Sequence, residues 1–182
     1  MFTEIFNSLD SHRARAGKYI GDIVYGANDG IITTFAVVAG VAGAELSPKI
    51  VVILGIANLL ADGFSMAASN YLARKSEREY KNTLTENNEV LKEEKPIKNA
   101  AATFFAFVIA GAIPLLPYIF DIHWNNFYLA SIATSIALFI VGSLRTLVTG
   151  TKWWKAGFEM FFIGSLAAFV SYIIGASLGK MM

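Results

Sequence analysis

Cysteine is absent from the 182 residues, which excludes disulfides, thiolate metal sites and thiol nucleophiles. Charge is scarce: 16% of the chain is Asp, Glu, Lys or Arg and 55% is hydrophobic, where soluble domains run at about 25% and 45–50%. The net charge of +1 offers nothing for a nucleic acid to grip, so no nucleic-acid partner is expected. The two histidines, His12 and His123, lie outside the apolar runs and are read as solvated. The four prolines punctuate the runs: Pro48 and Pro96 open them, and Pro114 and Pro117 kink or end one. No internal repeat or low-complexity tract is evident.

What is present is long stretches of apolar residues. Five reach the ~20 residues needed to cross a bilayer: Ile20–Ala44, Ile50–Leu72, Ala100–Phe120, Phe127–Val148 and Gly157–Leu178. The fold class is therefore all-α, a polytopic membrane protein with five transmembrane helices in a single domain, residues 1–182. Ser47-Pro48 joins the first two spans tightly, as a helical hairpin. Residues 1–18 are polar and unlike a cleavable signal peptide, so the first span is expected to act as an uncleaved signal. Phe2, Ile5, Phe6 and Leu9 would give that segment an amphipathic, interfacial face. Residues 74–98 are highly charged and are expected to continue the second span as a short cytoplasmic helix until Pro96.

Thirteen of the 15 Lys and Arg residues fall on one side of such a five-span bundle, leaving Lys49 and Lys180 opposite. That bias puts the N-terminus in the cytoplasm.

Polar residues inside the spans demand a reason, because a charge in lipid is costly. Asp29 lies about two and a half turns into the first span, and Asp22 precedes it by seven residues, on roughly the same face. In the second span Asn58, Asp62, Met66 and Ser69 follow i, i+4, i+8, i+11, a stripe down one side. Carboxylates, carboxamides and one thioether, with no His or Cys, suit Fe2+ or Mn2+ better than Zn2+ or Cu+. Asp29, Met66, Asp62 and Asn58 are thus the candidate metal ligands, and Asp22 and Glu159 candidates for an entrance or for proton coupling. Met66 also suits a packing role and Asn58 a helix–helix hydrogen bond, while Glu159 also suits an ion pair with Arg145 or Lys155. Glu77, Glu86, Glu89 and Glu93 could attract cations on the cytoplasmic side, although interleaved basic residues equally fit a solvated helix. Gly26-xxx-Gly30 and the Gly40–Gly43 region are small-residue patterns that allow close helix packing.

The stretch Asn28-Asp-Gly-Ile-Ile-Thr-Thr-Phe-Ala-Val-Val-Ala-Gly-Val-Ala-Gly43 resembles the first-span signature of the vacuolar iron transporter family. The stretch from Gly55 through Asn58, Asp62 and Met66 to Glu77 is similar to its second-span signature. Val108–Tyr118 and Gly142–Gly164 are similar to its later regions. The resemblance implies a five-helix protomer that forms a homodimer, with a metal path between the paired first and second helices. It implies export of Fe2+, and often Mn2+, from the cytoplasm in exchange for protons. The family's path aspartate falls on Asp29 and its path methionine on Met66; Asn58 stands where plant members carry a carboxylate, with Asp62 one turn later. Full-length members carry a helical metal-binding domain between the second and third spans, where this chain has about twenty-five residues and no Met.

The expected function is transport of divalent iron or manganese, with the ion as substrate, no tightly bound cofactor and no enzymatic activity. The expected partners are a second copy of the chain, membrane lipids and the metal ion. The rival is a scaffold or metal sensor of the same fold, in which the polar stripes only join helices. Asp29-Gly30 superficially matches the start of a lipid phosphotransferase motif, but the further Asp and Arg residues of that chemistry are absent. The small size and short loop point to a prokaryote's cytoplasmic membrane.

Overall fold

The computed structural model describes the backbone of residues 2–84, 95–120 and 125–181, with side chains from residue 19 onward except 84 and 148. The described residues form helices and turns only: α1 Phe2–Gly43, α2 Pro48–Leu84, α3 Pro96–Gly111, α4 Leu116–Ile119, α5 Asn126–Leu144, α6 Thr146–Thr149 and α7 Trp153–Gly179. A 3-10 turn, Ile113–Leu115, joins α3 to α4. Five segments are long and apolar enough to span a membrane: Tyr19–Gly43, Pro48–Thr83, Pro96–Ile119, Asn126–Leu144 and Trp153–Gly179. The chain is an integral membrane protein of the all-α class.

The helices outrun the apolar stretches that announce them. α2 continues to Leu84, the rest of the charged segment up to residue 94 lying outside the described residues, and α7 begins at Trp153, ahead of the apolar run. Hydrogen bonding down a helix does not stop where hydropathy changes; it stops at a cap or a proline. Pro48 and Pro96 each occupy the first position of a helix, where the missing N–H costs nothing. Pro114 and Pro117 sit near the starts of the 3-10 turn and α4, so the third span narrows and turns without breaking. Asn125 caps α5 by accepting from the Tyr128 amide at 3.1 Å. α1 ends in a Schellman motif, with Leu46 N–H donating to Val41 O and Glu45 N–H to Ala42 O, both at 3.1 Å. Glu45 takes the left-handed position of that motif, with φ 56°.

α3 is the hub of the bundle. It packs more extensively on α1 and on α2 than those two pack on each other, so the hairpin is splayed around it. α7 lies along α1 and α5. Close approach rests on glycine. A Cβ on Gly26 would stand 2.6 Å from the Thr103 carbonyl oxygen, and one on Gly30 would strike that of Phe107. Gly40 and Gly43 face α7 in the same way, and Ser171 of α7 donates to the Ala36 carbonyl at 2.5 Å. The small residues of the first span thus serve packing within the chain, as their spacing allows. Phe107, Ile31, Leu115 and Leu138 fill the core, while Phe64, Ile109, Phe162 and Phe169 stand outward for lipid to cover.

Candidate metal path between α1 and α2

Asp29 on α1 lies within electrostatic reach of Asp62 on α2. Both are half-buried, and neither has an ion-pair partner among the described residues. Two like charges within reach of one another repel, and a cation or a proton between them relieves the repulsion. Asn58, one turn before Asp62, has its Nδ2 buried with no hydrogen-bond partner. The carboxamide therefore does not make the interhelical bond through Nδ2 that would explain it as simple glue. Asn28 Oδ1, beside Asp29, is also buried and unpartnered.

Met66, one turn beyond Asp62, rests partly against the core cluster built on Phe107 and Leu59. Its other side forms the wall of an open cleft of about 420 Å³, with Tyr25 of α1 and Ser65, Ser69, Arg74 and Glu77 of α2. The stripe read from the sequence therefore continues into a polar recess at the basic end of the bundle. Glu77, in that recess, is bonded to Lys81 at 2.7 Å.

Asp22 has a different setting. It is 7% exposed, and one Arg74 guanidinium nitrogen reaches both of its carboxylate oxygens, at 2.8 and 3.0 Å. Asn70 donates to it at 3.1 Å and Asn99 at 2.7 Å, and Asn70 also donates to Thr103 at 3.0 Å. This network ties α1, α2 and α3 together at the mouth of the cleft. Sequence reading passed over Arg74, Asn70 and Asn99. A usable signal was present, because Asn70 and Arg74 are one turn apart on α2 and Asn99 stands at the start of an apolar run. Glu159 pairs with Arg145 at 2.5 Å, one of the two roles that its position allowed. Glu86, Glu89 and Glu93 lie outside the described residues.

Among the described residues no three His, Cys, Asp or Glu side chains converge on one point. Two carboxylates, a carboxamide and a thioether are instead spread along α1 and α2.

A splayed five-helix bundle with half-buried carboxylates on its first two spans defines an integral membrane protein of the all-α class. The sequence model of the VIT family matches residues 20–94 and 83–176, two pieces that meet in the connection from α2 to α3. The chain belongs to that family. Vacuolar iron transporter 1 of Arabidopsis thaliana is 31% identical, over 91% of this chain and 90% of the relative. Vacuolar iron transporter 1 of Eucalyptus grandis is 29% identical over 90% and 89%. The vacuolar iron transporter of Plasmodium falciparum is 24% identical over 96% and 89%. The first of these alignments runs over 224 positions although this chain has 182 residues, so the relative carries a segment that this chain lacks.

Proposed function

We propose that this protein moves divalent iron or manganese out of the cytoplasm through a path at the interface of a homodimer, in exchange for protons. The observation that carries the reading is that Asp29 of α1 and Asp62 of α2 are half-buried with no ion-pair partner among the described residues, with Asn58 and Met66 one turn either side of Asp62. Membership of a family whose relatives are named iron transporters supports iron as the cargo. A two-fold axis would double this set of ligands and complete the coordination that one chain leaves open. Asp29 and Met66 hold the ion in both copies, with Asp62 and Asn58 flanking.

Coupling follows from competition. A carboxylate that takes a proton loses its hold on a cation, so protons arriving from the far side release the metal. Asp22, pinned by Arg74 at the cleft mouth, sets the entrance. The bias of Lys and Arg puts the N-terminus and this entrance in the cytoplasm. The short connection between α2 and α3 leaves Glu77, with Glu86, Glu89 and Glu93, as the remaining means of attracting cations there. Small size and that short connection favour a prokaryote's cytoplasmic membrane, whereas the relatives' names place them at vacuoles.

The test is Fe2+ and Mn2+ flux into proteoliposomes under an imposed pH gradient, for wild type and Asp29→Asn. Flux that requires both the gradient and Asp29 supports the exchanger. Undiminished flux in Asp29→Asn overturns the assignment of Asp29, and no flux in either favours the scaffold reading.

A further inference from the structure

A second cleft, of about 290 Å³, opens on the other side of Tyr25, between α1 and the corner where α5, α6 and α7 meet. Gly21, Tyr25 and Asn28 line it at i, i+4 and i+7 on α1, so it runs about 10 Å along that helix. Arg145 and Thr149 form the facing wall, and Met160 and Val24 make it apolar lower down.

The electrostatics of this corner are one-sided. Lys152, Lys155 and Glu159 share a face of α7, at i, i+3 and i+7. Glu159 is taken by Arg145, so Lys152 and Lys155 remain as excess positive charge. On α1, Asp22 beside Gly21 is held by Arg74, Asn70 and Asn99, and Asp29 lies at the opposite end of the cleft, beside Asn28. The two lysines sit at the N-terminus of a 27-residue helix whose first turn has no acidic residue and whose cap residue, Lys152, makes no side-chain bond to it. Cations are disfavoured at that end of a helix dipole, and an external anion would offset both. Trp153 and Trp154 flank them, 60% and 45% exposed, with the Lys155 ammonium 5.6 Å from the Trp154 ring. Exposed tryptophans between lysines mark the level of lipid headgroups. Asn28, which lines the cleft, has its Oδ1 buried with no partner.

We propose that this corner is a binding site for one anionic phospholipid. Its phosphate is held by Arg145, Lys152 and Lys155. A headgroup or glycerol hydroxyl reaches toward Asn28, and the first chain methylenes lie against Val24 and Met160. A zwitterionic lipid fits less well, because its own cation would face the lysines. The site shares Tyr25 with the α1–α2 cleft but uses none of the proposed metal ligands, so it stands whether or not metal crosses there.

Gly21 supplies a clean probe, since nothing lies within 4 Å of where its Cβ would be. Gly21→Leu plugs the cleft without a clash inside the chain. The experiment is native mass spectrometry of the full chain, titrated with phosphatidylglycerol, phosphatidylcholine or inorganic phosphate. Wild type, Gly21→Leu and the double variant Lys152→Gln/Lys155→Gln are compared, with helical content checked by circular dichroism. Wild type is expected to retain phosphatidylglycerol over phosphatidylcholine. Gly21→Leu loses that adduct, and the double variant weakens it about 25-fold, from roughly fivefold per basic residue near a charged surface. Equal retention of the two lipids, or unchanged binding in the double variant, overturns the proposal. So does displacement of phosphatidylglycerol by phosphate alone, which would make the site one for a free anion. Loss of the adduct in Gly21→Leu only together with loss of a dimer would show that a second copy covers the cleft, and also overturns it. If Gly21→Leu does not fold, the lysine variant and the lipid comparison decide.

Discussion

A single guanidinium nitrogen of Arg74 touches both carboxylate oxygens of Asp22, at 2.8 and 3.0 Å, with Asn70 and Asn99 completing the carboxylate's partners. Side-chain exposure is 21% for Arg74 and 10% for Asp22, so the pair is largely withdrawn from solvent. Removing one member strands the other charge, which in buried pairs costs about 3 kcal/mol or more. Asp22→Asn and Arg74→Gln should each lower the melting temperature in detergent clearly. The double variant should lose less than the sum of the two, because it strands neither charge. Additive losses would show that the two residues are not coupled.

Helix contacts on α1 separate two glycines that look alike in sequence. Gly30→Ala drives a methyl into the Phe107 carbonyl, whereas Gly21→Ala meets open space. The first should cost about 1–3 kcal/mol by overpacking. The second should be neutral or slightly stabilising, through helix propensity. Thermal unfolding of the two variants side by side checks the contrast, and equal effects would contradict the α1–α3 packing.

Met66 offers the soft donor of the proposed path, and Leu matches its bulk without the sulfur. Met66→Leu should keep the fold, since the residue only rests against the core cluster. Replacing a ligand should cost transport no less than the roughly tenfold lost when groups behind a ligand are removed. The loss should be greater for Fe2+ than for the harder Mn2+. Competition between the two ions in proteoliposomes measures it; equal rates before and after substitution would return Met66 to a packing role.

Glu45 holds a left-handed conformation at the end of α1, with φ 56°. That conformation costs a residue with a Cβ about 1–2 kcal/mol. Glycine removes the cost but gives up some freedom on folding, so Glu45→Gly should stabilise by about 0.5–1 kcal/mol. A melting temperature that falls instead would point to a role for the Glu45 carboxylate.

Five spans were legible because lipid imposes one local rule, a run of apolar residues long enough to cross, and each run obeys it independently of the others. Prolines marked where helices start because their effect is also local. The α2 stripe was legible for the same reason: Asn58, Asp62, Met66 and Ser69 share a face whatever α2 packs against. Asp22 was harder. From its spacing it belonged beside Asp29, yet its partners come from residues up to 77 positions away.

The sequence by itself determined the number of membrane-spanning helices, the prolines that open two of them and which residues share a face, since helical period and hydropathy act over a few turns. Only the tertiary structure decided that α3 wedges between α1 and α2, that Asp22 is taken by Arg74 while Asp29 and Asp62 have no ion-pair partner among the described residues, and that Gly26 and Gly30 face α3. Those outcomes depend on which helix faces can approach most closely and leave the fewest polar groups unpaired. In a bundle whose helices are apolar on nearly every side, hydrophobicity does not choose among faces; steric fit at glycines and pairing of the few charges do.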